Sequence, residues 1–246
     1  IGHGDPQNGN LASGQLYTVS FLFSVVCMAV ALVFDQPLLQ LLFGQVEPDV
    51  MEASLIYLRI SAYSYPALAV YNAGAALYRS MSKTHVTMNV SLVMNAINVV
   101  GNAIGIFVLH AGVAGVAWPS TISRMVAAVI MTVLCFSKKN SIYLAWKNIL
   151  TWNGSMIRRL LGIAVPNSIE NGLFQLAKVA LSSITAMFGT VQIAANGVAQ
   201  SIWSLAALVG GALGPAFITV IGQCMGAQDV DAADYYMRKL ARLTFF

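Results

Sequence analysis

Long apolar runs, separated by short polar breaks, dominate this chain. No acid or base interrupts Thr84 to Ser123 or Val179 to Gln228, gaps of 40 and 50 residues. One bilayer crossing takes about 20 apolar residues, so each gap accommodates two. The pattern predicts six complete helices, over 11–34, 53–78, 86–109, 113–136, 160–187 and 193–225. Asp35 and Pro37 follow the first, Arg79 to Thr84 the second, His110-Ala-Gly the third and Phe188-Gly-Thr the fifth. Gly and Pro favour turns, and unsatisfied backbone is expensive in lipid, so these breaks belong at the membrane faces. The third and fourth helices, and the fifth and sixth, are joined by very short turns and form antiparallel pairs. The reading is an all-α polytopic membrane protein. The alternating ten-residue strands of a membrane β-barrel are absent from the sequence.

Composition agrees with the pattern. Fifty-eight per cent of the residues are hydrophobic and 9% are charged, against roughly 25% charged in an average soluble domain. The net charge of +4 does not point to nucleic acid, because of where the bases lie. They cluster at Arg79 and Lys83, at Lys138, Lys139 and Lys147, at Arg158 and Arg159, and at Arg238, Lys239 and Arg242. Segment 35–52 holds four acids and no base. By the positive-inside rule, segment 137–159 is expected on the cytoplasmic side of a plasma membrane and segment 35–52 outside. In 137–159, Tyr143, Trp146, Ile149 and Trp152 recur at helical spacing beside Lys139 and Lys147, which suits a helix in the headgroup layer.

The cysteines, Cys27, Cys135 and Cys224, sit singly in apolar stretches and read as small buried hydrophobes. His3, His85 and His110 lie at helix ends without metal-ligand spacing. No metal or cofactor is expected.

Polar residues within the predicted spans need an explanation, since each is costly in lipid. Glu170 lies four residues after Pro166, near the middle of the fifth helix. A carboxylate there can load and release a proton. Glu170, Phe174 and Lys178 share one face, with the two charges about 12 Å apart at ~1.5 Å per residue. Asn171 and Gln175 flank that face; the alternative role for the group is a structural polar seam beside the proline. In the third helix Asn95, Asn98 and Asn102 fall on one face. They either bond neighbouring helices or supply oxygens to a hard cation. Arg124 is too deep in the fourth helix to reach the surface easily, and is expected to face the bundle or a wet cavity. Arg59 and Asp35 lie near the outer surface, where snorkelling accounts for them.

The two ends share a pattern, Gly2-x-x-Asp5 and Gly226-x-x-Asp229, 224 residues apart and enclosing six helices. That is the period of a transporter built from two similar halves. The chain reads as the middle of a longer protein, with about two helices before it and four after.

Gly210-Gly-Ala-Leu-Gly-Pro-Ala-Phe-Ile-Thr-Val-Ile-Gly-Gln-Cys-Met-Gly-Ala, followed by an acidic turn and Ala232-Ala233, resembles the multidrug and toxic compound extrusion (MATE) family. Pro66, the Asn95-Asn98-Asn102 face, Gly112-Val-Ala-Gly-Val-Ala and Gly162-Ile-Ala-Val-Pro166 resemble its fourth to seventh helices in order. The resemblance implies a two-lobe bundle of six helices per lobe. Residues 1–136 would hold the end of helix two and helices three to six, 137–159 the inter-lobe linker, and 160–246 helices seven, eight and the start of nine. It further implies a monomeric antiporter exporting amphipathic, cationic compounds in exchange for Na⁺ or H⁺, with no catalytic chemistry. The family's glutamate in the seventh helix corresponds to Phe174, one turn beyond Glu170. Its amino-lobe cation ligands correspond to Asn98, Asn102 and Ser120. A lipid or lipid-linked oligosaccharide flippase of the same superfamily is the alternative; a membrane-embedded enzyme would need a nucleophile and base, or a metal cluster, at one depth.

Overall fold

A computed structural model describes residues 5–43 and 48–245. Gly2, His3 and Glu47 lie outside them. The described residues form ten α-helices. They are α1 (Pro6–Val33), α2 (Asp35–Phe43), α3 (Pro48–Ala62), α4 (Tyr65–Ser80), α5 (Thr84–Ala103), α6 (Ala114–Cys135), α7 (Trp146–Leu150), α8 (Gly154–Ala186), α9 (Thr190–Gly226) and α10 (Val230–Phe245). Among them, Pro6–Val33, Thr84–Val108, Ala114–Cys135 and Ala195–Gly226 are long and apolar enough to cross a membrane by length and composition. The chain is a multi-pass α-helical membrane protein.

Two compact units are present. The first, Gln7–Leu161, is centred on the packing of α6 against α3, α4 and α5. Tyr17 of α1, Ala75 and Tyr78 of α4, Val90 of α5 and Ala127, Met131 and Cys135 of α6 make its core, joined by Ile142 and Leu144. Where α5 meets α6, small residues let the backbones touch. A Cβ on Gly115 would lie 2.6 Å from the Gly105 carbonyl oxygen, and one on Gly101 would lie 2.6 Å from the Pro119 Cβ. In lipid, close backbone approach of this kind supplies packing that the hydrophobic effect does not.

The predicted helix over 53–78 is two helices. Pro66 has no N–H and its ring disturbs the preceding turn, so α3 ends at Ala62 and α4 begins at Tyr65. The carbonyls freed at this break find partners. The Ser64 amide and hydroxyl both donate to the Ser61 carbonyl, at 2.9 and 2.6 Å, and Thr121 of α6 donates to the Ile60 carbonyl at 3.1 Å. The predicted helix over 86–109 changes at its end to a π turn, Ile104–Val108, which places Gly105 against Gly115. Asp35 does not end a helix with coil: it opens α2, accepting the Gln36 amide at 2.6 Å.

Segment 137–159 is not one headgroup-layer helix. Only Trp146–Leu150 and the residues from Gly154 onward are helical. The connection is held by α1. Gln15, 1% exposed, donates to the Thr151 carbonyl and to that of Asn148 at 3.3 Å, and accepts the Asn153 amide at 3.4 Å. Thr18 donates to the Ile149 carbonyl at 2.9 Å, and Asn10 accepts the Tyr143 amide at 2.9 Å. Trp146 packs on Phe136, with ring centroids 4.8 Å apart. Among the cysteines, Cys135 is buried and accepts a hydrogen bond from Tyr17 at 3.1 Å, while Cys27 and Cys224 are half-buried.

The second unit comprises, of the described residues, 5–6 and 162–245. Gly189, with φ +104°, turns α8 into α9, a conformation that favours glycine. Asp229 of the Gly226-x-x-Asp229 pattern accepts the Ala232 amide at 2.9 Å and caps α10, which packs on α9.

Asp35 and Arg59, which snorkelling would explain separately, form an ion pair at 2.5 Å. The Arg59 guanidinium, helped by the Gln36 amide, holds the Asp35 carboxyl below the usual carboxylate range. The pair therefore adds stability above the ordinary aspartate pKa of about 3.9, and loses it as pH falls through the lowered value. Arg59→Gln should lower the melting temperature at neutral pH, and the deficit should close in acid. A deficit that persists unchanged at low pH would assign Arg59 to packing alone.

Candidate functional site

Two polar clusters stand within the helices, one in each unit. In the first unit, α5 and α6 present a ladder. Asn102 donates to the Asn98 side-chain oxygen at 3.1 Å, Asn98 donates to the Ser120 hydroxyl at 2.8 Å, and Ser120 donates to the Val116 carbonyl at 3.0 Å. The i, i+4 spacing of the two asparagines makes the first bond, and the glycine contacts below bring Ser120 close enough for the second. The sequence placed Asn95 on the same face. It turns back instead to the Ser91 carbonyl at 2.9 Å and does not join the ladder.

The ladder orders its oxygens as acceptors of amide protons. The Asn102 side-chain oxygen is the exception: it is buried and, among the described residues, has no hydrogen-bond partner. That oxygen is free to accept a donor or to ligate a cation.

Arg124 lies one turn beyond Ser120 on α6, about 6 Å along the axis. Its Nη1 donates to the Ser64 hydroxyl at 2.8 Å, at the break between α3 and α4. Arg124 is half-buried and Ser64 is fully buried. Among the described residues Arg124 forms no ion pair; the ion pairs there are Asp35–Arg59 and Asp234–Arg238. Its partner is a neutral hydroxyl, so a positive charge remains one turn from the ladder. Ser64 and Thr121 were not legible as partners, although Pro66 two residues after Ser64 marks a turn that needs them.

In the second unit, Glu170 stands at the middle of α8, which runs unbroken through Pro166. Among the described residues it has no hydrogen bond or ion pair. Lys178 does not reach it. Its ammonium lies 4.8 Å from the centroid of the Phe174 ring and 5.5 Å from that of Trp203 of α9. Such cation–π contacts stabilise an ammonium without neutralising it. Phe174, where the resemblance places a glutamate, thus cradles Lys178. Asn171 donates back along α8 to the Asn167 carbonyl at 2.8 Å and side-chain oxygen at 3.2 Å. Gln175 occupies an exposed position on the same helix. Trp203 escaped the sequence reading, since nothing marks one tryptophan in an apolar run as a lysine's partner.

A family model, MatE, matches residues 1–104 and 166–246. The uncharacterized transporter YisQ of Bacillus subtilis is 26% identical over 218 residues, covering 87% of this chain and 47% of the relative. The probable multidrug resistance protein YoeA of the same organism is 27% identical over 231 residues, covering 92% and 50%. The chain thus spans about half the length of these relatives. Among solved structures, an outward-facing multidrug resistance MATE family transporter of the MOP superfamily superposes with a TM-score of 0.85. It is 18% identical, covering 99% of this chain and 54% of the other. A MOP superfamily transporter from Pyrococcus furiosus, described as having a binding pocket of reversed polarity, gives 0.79 at 18% identity, covering 98% and 56%.

The ladder has a measurable stability. Asn98→Leu removes both of its side-chain bonds and should cost about 0.6–2 kcal/mol in detergent unfolding, the range for interhelical polar contacts in membranes. Ser120→Ala, which leaves the Asn98–Asn102 bond, should cost less. Equal stability of Asn98→Leu and wild type would show that the ladder holds nothing together.

Proposed function

Since the chain belongs to the MatE family, whose members are transporters and not enzymes, we propose that its parent protein is an ion-coupled antiporter. It exports amphipathic compounds from the cell by alternating access, in exchange for H⁺ or Na⁺. The names of the relatives, a probable multidrug resistance protein in Bacillus subtilis and multidrug and toxin extrusion protein 1 in mouse, support drug or toxin export as the task.

The observation that carries the reading is the unpaired carboxylate of Glu170 in mid-helix. If α8 crosses the bilayer, a charge without a partner there is too costly to keep for structure alone. The carboxylate binds a proton or Na⁺ in one conformation and a cationic group of the substrate in the other. Competition for one carboxylate gives exchange its stoichiometric basis, because each ligand shifts the conformational balance only through its differential affinity. Lys178, eight residues on, keeps a second charge on the same helix, held by Phe174 and Trp203. Asn171 and Gln175 add neutral hydrogen-bonding groups near it. In the first unit the free Asn102 oxygen is available to a substrate donor or to the coupling cation, with Asn98 and Ser120 fixing its position.

The lobes we assign are residues 1–136 and 160–246, with 137–159 as the cytoplasmic connection in the plasma membrane. A flippase for lipid-linked sugars would need many bases inside its helices, and the spans here hold chiefly Arg124 and Lys178.

Two outcomes test these proposals. Cysteines placed at Glu52 should react with an impermeant thiol reagent from outside intact cells, and cysteines at Lys139 should not. The opposite labelling would invert the orientation. In proteoliposomes of the full-length protein, Glu170→Gln should insert normally yet lose ion-driven efflux of a cationic dye by at least about tenfold, the change expected from removing roughly 1.4 kcal/mol of coupling. Adding Phe174→Glu to that variant, one turn along the same face, should restore part of it. Wild-type efflux by Glu170→Gln under both proton and sodium gradients would leave Glu170 a structural residue.

A further inference from the structure

Arg124 is the eleventh of the 22 residues of α6, Ala114–Cys135. That depth is about 15 Å from either end of the helix at ~1.5 Å per residue. Of its five donors, one Nη1 bond to Ser64 is accounted for, at 2.8 Å. No carboxylate among the described residues pairs with it, and the side chain is half-buried rather than sealed.

An open apolar groove of about 300 Å³ lies between α1, α4 and α6. Of its lining, Pro66 follows Ser64 by two residues and Ala128 follows Arg124 by one helical turn, which sets its near end about one turn from the polar pair. From there Phe21, Val70, Val129 and Val133 extend the lining along α1, α4 and α6. Thr132 is the polar side chain in it, and its hydroxyl is occupied by the Ala128 carbonyl at 2.7 Å. A cationic side chain and an apolar furrow thus lie within about one helical turn of each other along α6.

We propose that Arg124, positioned by Ser64, receives the anionic head of a single-chain amphiphile whose chain lies in the groove between α1, α4 and α6. The ligand class is a carboxylate or phosphate monoester on an alkyl or acyl chain. Planar guanidinium donors match either oxyanion. The volume, at the low end for small-molecule sites, suits one chain better than two. Depth separates a transported compound from a resident bilayer lipid. A phospholipid keeps its phosphate in the interfacial layer, whereas Arg124 sits near the midplane of its helix, where a compound crossing the membrane must pass. The site therefore widens the substrate range of the transporter proposed above, on which the word substrate rests, toward compounds whose charge is opposite to that expected at Glu170.

Binding, measured with no imposed gradient, tests this separately from coupling, so that its failure and failure of the efflux experiment are distinct. The full-length protein in nanodiscs of neutral phosphatidylcholine is titrated with decyl phosphate, decanoate, decanol and decyltrimethylammonium. Both anions should bind about 10–100-fold more tightly than decanol, the span of a charge-assisted hydrogen bond, and the quaternary amine more weakly than decanol. Arg124→Gln should bring the anions to the decanol level, and Arg124→Lys should retain part of the difference. Val133→Trp, which fills the groove and leaves the charge, should weaken all four probes; it serves if Arg124→Gln does not fold. Equal affinity for decyl phosphate and decanol, or unchanged decyl phosphate affinity in Arg124→Gln or in Val133→Trp, would overturn the assignment. So would loss of decyl phosphate binding when phosphatidylglycerol is added to the nanodisc, because the occupant would then be a bilayer lipid.

Discussion

A backbone carbonyl that loses its partner inside a lipid layer has no water to turn to, so the protein must supply another donor. Much of the first unit follows from that constraint. Pro66 removes an N–H from a helix that would otherwise run straight, and the chain answers with Ser64 on Ser61 and Thr121 on Ile60. Thr121 and Arg124 lie three residues apart on α6 and both reach this break. The packing of α6 on α3 and α4 is therefore fixed by hydrogen bonds that a continuous helix would not need. Close approach of Gly105 to Gly115 does the same for α5, and it carries Asn98 within reach of Ser120.

The connection after α6 obeys the same rule. Residues 143–153 are largely non-helical, so their amides and carbonyls need partners, and α1 provides them through Asn10, Gln15 and Thr18. Gly14 makes room: a Cβ there would lie 2.7 Å from the Asn148 carbonyl group. The segment is thus built into the first unit and is not a loose tether.

Six long apolar runs, their order and their short turns were all visible in the sequence, because length, charge gaps and Gly or Pro punctuation report directly on bilayer crossing. What escaped was of two kinds. The break at Tyr63–Ser64 and the π turn at Ile104–Val108 are local exceptions inside runs of helical hydropathy, and periodicity does not resolve them. Pro66 was a signal for the first and there was none for the second. Tertiary partners were the other kind. Asn98, Asn102 and Ser120 could be grouped by helical face, but Arg124 with Ser64, Gln15 with the connection and Lys178 with Trp203 join residues 60, 136 and 25 positions apart. Helical spacing says nothing about contacts of that kind.

Charge is distributed unequally between the two polar clusters: a guanidinium beside an amide ladder in the first unit, an unpaired carboxylate and an aromatic-bound ammonium in the second. If the carboxylate links ion to substrate, the two must compete for it even at rest. The direct measurement is the number of protons or Na⁺ ions released when purified full-length protein, in weakly buffered detergent solution, is saturated with a cationic substrate. Release of close to one ion per protein from wild type, and none from Glu170→Gln, is the expected result. Saturable binding with no ion released, or equal release from both proteins, would contradict it.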